Sequence, residues 1–307
     1  FLALSKATFI SKKYTAKLEF NDKKSNYELF GEHNAHSLIE CATICQRECS
    51  FFGFNSQTKK CRTHKESLTS GLSDETGWRY YSDNDFSSLP KDCKDLRENG
   101  QTITGVYDIY PYSTLIMPIN VYCDMTTNGG GWTAIQKRVD GSVIFDRNWT
   151  EYKNGFGSPE QNVWVGNDVI HQLTKENSSS LYVSITLENG TTLYEMYDGF
   201  SVSDEAGKYQ LFLAGPATGT LGDSMLDTGN RNRDLSGMSF STPDKDNDGE
   251  SGFNCAADST RRGGWWFNIC HRAFLNGQWS PGVWYPWYPT VTSGTSVIGT
   301  TMMIRRN

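Results

Sequence analysis

The sequence has no excess of basic residues. Its 307 residues include 29 lysines and arginines against 35 aspartates and glutamates, which gives a formal net charge of −6. A protein that binds nucleic acid needs a basic stripe to neutralise the phosphates, so this balance argues against that class of partner. The 13% of aromatic residues argues against a disordered chain, because such chains are poor in aromatics.

The sequence also lacks a segment that could cross a membrane as a helix. Its longest uncharged stretch, 273–304, is long enough, but it contains Pro281, Pro286 and Pro289 together with glycines and many hydroxyl residues. We therefore expect no membrane span. No signal peptide is apparent at Phe1, so the numbering starts from a mature end if the protein is secreted.

The CxxC pattern that is typical of zinc sites is absent as well. The eight cysteines form a cluster of four and two well-spaced pairs, and spacing alone does not choose among their many possible pairings. We favour disulfides over a zinc site, which indicates an oxidising compartment. Three Asn-x-Ser/Thr sequons, at Asn148, Asn177 and Asn189, agree with secretion and are candidate glycosylation sites.

The cysteine cluster begins in a predicted helix. Ser37 and Glu40 form a capping box, in which the two side chains satisfy free N–H groups of the first turn, so a helix should begin near Leu38. The apolar run Phe51-Phe-Gly-Phe54 predicts the strand that follows, and Cys61 lies on the next one.

The spacing of Cys45 and Cys49 limits the length of this helix. Cβ atoms four residues apart in a helix are about 5–6 Å apart. A disulfide needs about 3.5–4.5 Å between them. If these two cysteines are bonded, the helix must end near Arg47.

The run Cys41-x3-Cys45-x3-Cys49-x-Phe-x-Gly-Phe-Asn55…Cys61 resembles a PAN/apple domain, and the resemblance covers residues 1–88. It implies a helix stapled to a small antiparallel sheet by nested bridges, with Cys41–Cys61 outside and Cys45–Cys49 inside. Domains of that family bind proteins or carbohydrates.

Motifs rich in glycine and aromatic residues follow from Cys93 onward. They include Asn128-Gly-Gly-Gly-Trp-Thr133, Asp140-Gly-Ser142, Phe145-Asp-Arg-Asn-Trp149, Tyr152-Lys-Asn-Gly-Phe-Gly157, Gly264-Trp-Trp266 and Leu275-Asn-Gly277. Their order and spacing closely resemble the fibrinogen C-terminal-like domain of ficolins, tachylectins and related lectins, over residues 89–307. The resemblance implies a globular domain with Cys93–Cys123 and Cys255–Cys270 bridges. We therefore expect an α+β protein of two domains, 1–88 and 89–307.

Carboxylates alternate along Asp244-Lys-Asp246-Asn-Asp248-Gly249. Ca²⁺ prefers oxygen ligands, and alternate carboxylates of one loop can converge on such an ion. The run is not an EF-hand, because Cys255 occupies the position of the required glutamate; a solvated acidic loop is the alternative. The fibrinogen-like resemblance implies a Ca²⁺ site made by the side chains of Asp246 and Asp248 and by carbonyls near Glu250 and Gly252.

The same resemblance implies a pocket for an acetyl group or similar sugar substituent beside Cys270. A cis peptide bond before this cysteine is a feature of the family, so the resemblance also implies a cis bond between Ile269 and Cys270. Aromatic faces and hydrogen-bonding groups suit such a ligand, although the same aromatics are also typical of a core. The residues we assign to the pocket are Trp266, Cys270, His271, Tyr285 and Trp287. The tryptophans we assign to the core are Trp132, Trp149, Trp164 and Trp265.

Two arginines, Arg261 and Arg262, precede the paired tryptophans. Guanidinium groups on a pocket rim pair bidentately with a carboxylate such as that of sialic acid, so we add Arg261 to the sugar-binding candidates. A solvated turn is the alternative.

These features together predict a secreted, calcium-dependent lectin for N-acetylated sugars or sialic acid, acting in recognition, agglutination or innate defence. The alternative is an extracellular structural or signalling protein that binds protein partners through the same fold. Gly222-Asp-Ser224 lacks the following glycines and the partners of a serine nucleophile, so we expect no catalytic residues and no enzyme. A single sugar site binds weakly, and the PAN-like domain is a candidate for assembling a homo-oligomer.

Overall fold

The computed structural model describes most of the chain. The described residues are 14–16, 23–25, 29–45, 49, 51–64, 72–83, 90–112, 118–176, 178–226, 234–259, 262–279, 286–292 and 294–307. They fall into two compact units, one within Phe1–Leu89 and one within Pro90–Pro111 and Pro118–Asn307. Among the described helices, none is both long and apolar enough to cross a membrane.

The N-terminal unit is an antiparallel sheet with one helix. Its elements are β1 (Tyr14–Ala16), β2 (Lys23–Ser25), β3 (Leu29–Asn34), α1 (Leu38–Cys45), β4 (Phe51–Asn55), β5 (Lys60–His64), β6 (Leu72–Asp74) and β7 (Trp78–Asp83). The strands are ordered β1-β7-β4-β5-β3, and β2 pairs with β6. The helix and the strands at Phe51 and Cys61 therefore agree with the predictions from sequence.

Helix α1 begins at Leu38, as its cap predicts. The Glu40 N–H donates to the Ser37 hydroxyl at 3.1 Å, but the Glu40 carboxylate accepts from the His36 N–H at 2.7 Å and not from Ser37. The predicted capping box is therefore only half formed. The helix ends at Cys45, and Arg47 lies outside the described residues.

Two disulfides, Cys41–Cys61 and Cys45–Cys49, join α1 to β5 and to the segment after the helix. This is the pairing that the PAN/apple resemblance implies. The four cysteines are buried and pack against Phe52 and Phe54. The disulfides thus form much of one core cluster of this small unit, beside a second cluster of Phe51, Trp78 and Tyr80.

The C-terminal unit is rich in strands and has few helices. Its elements are α2 (Cys93–Glu98), β8 (Gly105–Ile109), β9 (Ile119–Asp124), β10 (Trp132–Arg138), α3 (Trp149–Asn154), β11 (Phe156–Gly157), β12 (Val163–Trp164), α4 (Asn167–Thr174), β13 (Ser179–Leu187), β14 (Thr192–Val202), β15 (Leu211–Gly219), β16 (Phe240–Ser241), β17 (Trp265–Trp266) and β18 (Val297–Arg306). The main antiparallel sheet is ordered β11-β12-β10-β18-β13-β14-β15, with β9 and β8 added beside β10.

The last strand, β18, lies in the middle of this sheet. It pairs with β10 on one side and with β13 on the other. Its C-terminal end reaches α2, where Arg306 contacts Asp92 at 3.5 Å and also pairs with Asp95. The Cys93–Cys123 disulfide ties the same helix to β9. Segments from the two ends of this unit are therefore brought together at the C-terminal end of β18.

The tryptophans assigned to the core are buried. Trp132, Trp164 and Trp265 expose no surface, and Trp149 exposes 7%. Their burial confirms the expectation for these four residues; Trp149 and Trp164 pack on Phe240 of β16.

Candidate functional site

The acidic loop starts from a short two-stranded ribbon. Strands β16 and β17 pair Phe240 with Trp266 and Ser241 with Trp265. Trp266 is fully buried, and its indole N–H donates to the Tyr209 carbonyl at 2.8 Å. The prediction that Trp266 forms a pocket wall is therefore wrong, because its only polar group and its surface are both used in the core.

The first of the three alternating carboxylates turns away from the other two. Asp244 Oδ1 accepts from the Trp149 N–H at 2.9 Å and from the Thr242 hydroxyl at 2.7 Å. Asp244 thereby accepts the first N–H of α3, and the ammonium of Lys245 lies 3.8 Å from the centroid of the Trp149 ring. These contacts fix the entry to the loop and leave Asp246 and Asp248 as its carboxylate pair.

Asp246 and Asp248 are organised by backbone N–H groups. Asp246 Oδ1 accepts from the Asp248 N–H at 3.2 Å. The two oxygens of Asp248 accept from the N–H groups of Glu250 and Cys255, each at 2.8 Å. Each carboxylate oxygen retains a further lone pair after one such bond, so the pair keeps the capacity to ligate a cation.

The electrostatics of the pair favour a cation. Burial raises the pKa of the Asp248 carboxyl, and the negative charge of Asp246 raises it further, against the lowering effect of the two N–H bonds. Among the described residues, no group of three or more His, Cys, Asp or Glu side chains converges. A metal ion here would therefore need backbone carbonyls and water as its other ligands, which is chemistry that Ca²⁺ accepts.

The predicted carbonyl ligands, Glu250 and Gly252, lie in the turn that follows. The Glu250 N–H is held by Asp248, and Gly252 has φ of +85°, a conformation that glycine adopts without strain. The donor types of this segment thus fit the expected ligand set, two carboxylates followed by two main-chain oxygens.

A disulfide between Cys255 and Cys270 joins the acidic loop to the segment after β17. The Gly249 N–H also donates to the Asn268 carbonyl at 3.2 Å. A Cβ atom on Gly249 would lie 2.7 Å from Asn268 Oδ1 and 3.3 Å from the Asn268 carbonyl carbon, so a larger residue here would crowd Asn268. The loop is therefore anchored at its middle and at its end.

The peptide bond between Ile269 and Cys270 is not cis, which corrects the expectation drawn from the resemblance. The cis bonds of the described residues are Gly215–Pro216 and Tyr288–Pro289. Cys270 has φ of +49°, and the Asn268 N–H donates to the Cys270 carbonyl at 3.1 Å. Cys270 therefore adopts the left-handed conformation, and the peptide bond before it is trans.

His271 lies directly after the disulfide and is half-buried. Its ring is 4.9 Å from that of Phe274 and 5.9 Å from that of Phe267, measured between centroids. Cys270 and His271 thus remain accessible in part beside the acidic loop. Phe253 and Ile269 flank the same disulfide in sequence and are 48% and 42% exposed, an apolar rim that sequence analysis did not single out.

The aromatic segment assigned to the pocket wall divides into buried and exposed residues. Trp287 is fully buried, and its indole N–H donates to the Gly222 carbonyl at 2.7 Å, so its assignment to the wall is wrong. Tyr288 is 47% exposed, and its carbonyl accepts from the Ser224 hydroxyl at 2.5 Å. Tyr285 and Arg261 lie outside the described residues.

The second arginine of the rim, Arg262, lines a separate cavity of about 410 Å³. It pairs with Asp146 at 2.8 Å. Arg138 lies in the same cavity with its guanidinium 4.3 Å from the Phe145 ring and 5.0 Å from the Trp279 ring, and burial lowers its pKa to about 10. Sequence analysis did not select Arg138, because a cation at the end of a strand, here the last residue of β10, gives no signal of a binding site.

Two of the three candidate glycosylation sites are described, and both are exposed. Asn148 caps α3, with its Oδ1 accepting from the Glu151 N–H at 2.9 Å, and Asn189 accepts from the Thr191 N–H in the turn between β13 and β14. Asn177 lies outside the described residues. A glycan attached to the amide nitrogen of either described residue would leave these oxygen contacts in place.

The family model for the C-terminal globular domain of fibrinogen beta and gamma chains matches residues 89–306. The chain belongs to this family. The matched domain is non-enzymatic, in agreement with the prediction that the protein is not an enzyme. No comparison bears on the PAN/apple resemblance of residues 1–88.

Individual relatives match between 62% and 71% of the chain. Ryncolin-4 from Cerberus rynchops is 40% identical over 192 residues, which are 62% of this chain and 52% of that protein, so the chain spans about half the length of this relative. The fibrinogen-like globe domains of human ANGPTL6 and ANGPTL2 are each 34% identical, with TM-scores of 0.63 and 0.64. Both matches cover 71% of this chain, and they cover 96% and 99% of those domains.

A third solved structure is lamprey fibrin D-dimer, complexed with the peptide Gly-His-Arg-Pro-amide. It is 34% identical, has a TM-score of 0.62 and matches 70% of this chain and 73% of its own. These likenesses place the fold of the C-terminal unit among fibrinogen-like domains.

Proposed function

We propose that the protein is a secreted, calcium-dependent lectin that recognises acetylated or acidic sugars. The observation that carries the proposal is the acidic loop, in which Asp246 and Asp248 are held by backbone N–H groups and tied by the Cys255–Cys270 disulfide to His271. The four disulfides, which leave no free cysteine, support an oxidising extracellular setting.

In this proposal Ca²⁺ is held by the side chains of Asp246 and Asp248 and by the carbonyls of Glu250 and Gly252. When bound, the ion neutralises the carboxylate pair. The chain itself fixes the distance between the loop and Cys270 through the disulfide and through the Gly249–Asn268 hydrogen bond. The ion thus stabilises the loop, and the loop in turn stabilises the backbone beside His271.

Sugar recognition is assigned to the partly exposed residues next to the disulfide. The imidazole of His271 offers a donor or an acceptor to a sugar substituent, and its position beside Phe267 and Phe274 keeps the ring fixed. Tyr288 is an exposed aromatic on the segment that follows, suited to stacking on a sugar ring. An acidic sugar in the separate cavity lined by Arg262 would compete with Asp146 for that guanidinium.

The N-terminal unit is proposed to be a PAN/apple-like module. What supports this is the helix on an antiparallel sheet with the Cys41–Cys61 and Cys45–Cys49 bridges. A second contact or a homo-oligomer formed through this unit would raise the avidity of a weak sugar site. Glycans on Asn148 and Asn189 would add to a secreted glycoprotein.

A glycan array read with calcium and with EDTA tests the proposal. We expect binding to N-acetylated or sialylated glycans that EDTA abolishes and that free N-acetylglucosamine or sialic acid competes. Asp246→Asn, which keeps the Oδ1 acceptor and removes the charge, should lose this binding. Asp204→Asn is the matched control, because Asp204 also accepts a backbone N–H through Oδ1, from Gly207. If the folded protein binds no glycan on the array, the lectin assignment is wrong.

A protein-binding role is the second candidate. The observation that favours it is the likeness to a fibrin structure complexed with a peptide, together with the exposed side chains of Phe253, Ile269 and Tyr288. Binding of Gly-His-Arg-Pro-amide that Tyr288→Ala abolishes, with no glycan bound, would favour this role over the lectin.

A further inference from the structure

A groove of about 380 Å³ lies on the C-terminal unit, far in sequence from the acidic loop. It is lined by α2, by the turn at Gly129 and Gly130, and by the end of β18. Its cationic side chains are Lys94, Arg97, Arg305 and Arg306, and its one acidic lining residue is Glu98. A chain of net charge −6 therefore carries a strongly basic groove.

The four cations differ in whether a carboxylate neutralises their charge. Arg306 is paired with Asp92 and Asp95. Lys94 lies 4.0 Å from Glu98, with side chains that are 30% and 61% exposed, so this pair is weak. Arg97 and Arg305 have no carboxylate partner among the described residues.

Arg305 is held in place by neutral groups. Its Nη1 donates to the carbonyls of Asn128 and Gly130, at 2.7 and 2.9 Å, and its guanidinium lies 4.3 Å from the centroid of the Trp132 ring. Burial lowers its pKa, yet a guanidinium stays charged in proteins. The position of this positive charge is therefore fixed before any ligand arrives.

Arg97 contributes a polar atom that the fold leaves unused. Its Nε is buried and has no hydrogen-bond partner in the described part of the chain. An unsatisfied buried donor is costly to the fold and is available to an acceptor that a ligand supplies. The adjoining turn is tight and requires glycine, because a Cβ on Gly130 would lie 2.1 Å from the Met125 carbonyl oxygen.

We propose that this groove binds a sulfated oligosaccharide. Guanidinium groups recognise oxyanions through paired N–H donors, and two uncompensated guanidiniums beside a lysine suit an anion with several acceptor oxygens. The disulfides indicate an oxidising, extracellular setting, where sulfated glycans are the common polyanions. The groove shares no residue with the acidic loop, so this inference stands independently of the calcium-dependent sugar site.

The test is a calorimetric titration of the full chain with a heparin-derived hexasaccharide in EDTA at several salt concentrations. We expect Arg97→Gln to weaken binding about tenfold and to lower the slope of log affinity against log salt by about one, as loss of one ion contact does for polyanions. Lys175→Gln is the matched control, since Lys175 is exposed at the end of α4 and has no ion pair among the described residues.

Arg305→Gln should weaken binding as well, but it also removes the bonds that hold the glycine turn. Arg97→Gln with an unchanged melting midpoint is therefore the decisive variant. No binding by the unaltered protein, or an equal loss with Lys175→Gln, would overturn the proposal. An equal affinity for the desulfated hexasaccharide or for polyphosphate of similar length would overturn the assignment to sulfate.

Discussion

The acidic loop and the basic groove of the C-terminal unit both orient charged side chains with neutral backbone groups, but the charges are of opposite sign. In the loop, Asp246 and Asp248 are oriented by backbone N–H donors. In the groove, Arg305 is oriented by backbone carbonyl acceptors. In both places the chain fixes a charge with neutral groups and leaves much of that charge uncompensated. Such charges are costly to a fold and useful to a ligand of the opposite sign.

The comparison also shows why net charge describes this protein poorly. A value of −6 excludes a basic protein as a whole, but it averages over a carboxylate pair in one loop and four cations in one groove. Charge distribution, and not its sum, decides which ligands each surface attracts.

The largest effects are expected from the disulfides that support the two regions. Cys255–Cys270 closes a sequence separation of 15 and Cys93–Cys123 one of 30, and removing either should cost about 3–4 kcal/mol of unfolding free energy. With each pair changed to alanine, we expect calcium affinity to fall for the first variant only. Urea unfolding measures the loss of stability, and calcium titration measures the affinity. Equal calcium affinity in both variants would contradict the claim that the Cys255–Cys270 disulfide alone supports the calcium site.

The next largest effect is the loss of calcium stabilisation. At a calcium concentration about 100-fold above Kd, binding stabilises the folded state by about 2.7 kcal/mol, or about 5–10 °C in melting midpoint. The double variant Asp246→Asn, Asp248→Asn should lose this rise. Arg97→Gln should keep it, because the groove takes no part in the calcium site; a rise that survives in the double variant would place the ion elsewhere.

The predictions from sequence succeeded where a local pattern or a family motif fixes the outcome. Ser37 and Glu40 place the start of α1 at Leu38, and the family motifs give the pairing of Cys93 with Cys123. Trp266 and Trp287 were misplaced because an indole that lines a pocket and one that fills a core look alike in sequence. Here both indoles are buried. The N–H of Trp266 donates to the Tyr209 carbonyl, and that of Trp287 donates to the Gly222 carbonyl.

The basic groove could not be found from sequence at all. Lys94 and Arg97 lie on α2, and Arg305 and Arg306 lie at the far end of the chain. They meet because β18 is inserted between β10 and β13, a long-range pairing that local spacing does not reveal. The acidic loop, by contrast, is contiguous, and the sequence alone was enough to indicate it.

The smallest effect concerns a charge that belongs to neither region. Glu195 is buried in β14, with its Oε2 accepting from the Gly222 N–H at 2.7 Å, and burial together with Asp223 raises its pKa. Because the folded pKa lies above the unfolded value of about 4.3, the folded state is favoured at low pH and loses this advantage as the pH rises through the folded pKa.

Glu195→Gln should remove that dependence. We expect the melting midpoint of the variant to gain on the unaltered protein by about 1–2 °C as the pH rises from about 4 to neutrality, measured in EDTA. A difference that shrinks with rising pH would show that Glu195 is stabilised as a carboxylate. Such a result would weaken the contrast between Glu195, whose charge burial disfavours, and the charged residues of the acidic loop and the basic groove, which we assign to ligand binding.

The most direct test of the central claim is a calorimetric titration of N-acetylglucosamine into the full chain, with calcium present and again after chelation. We predict measurable binding with calcium, none after chelation, and none in either condition for Asp246→Asn, while Asp204→Asn behaves as the unaltered protein. Binding of equal affinity in calcium and in EDTA would contradict the claim that the acidic loop holds an ion on which the sugar site depends.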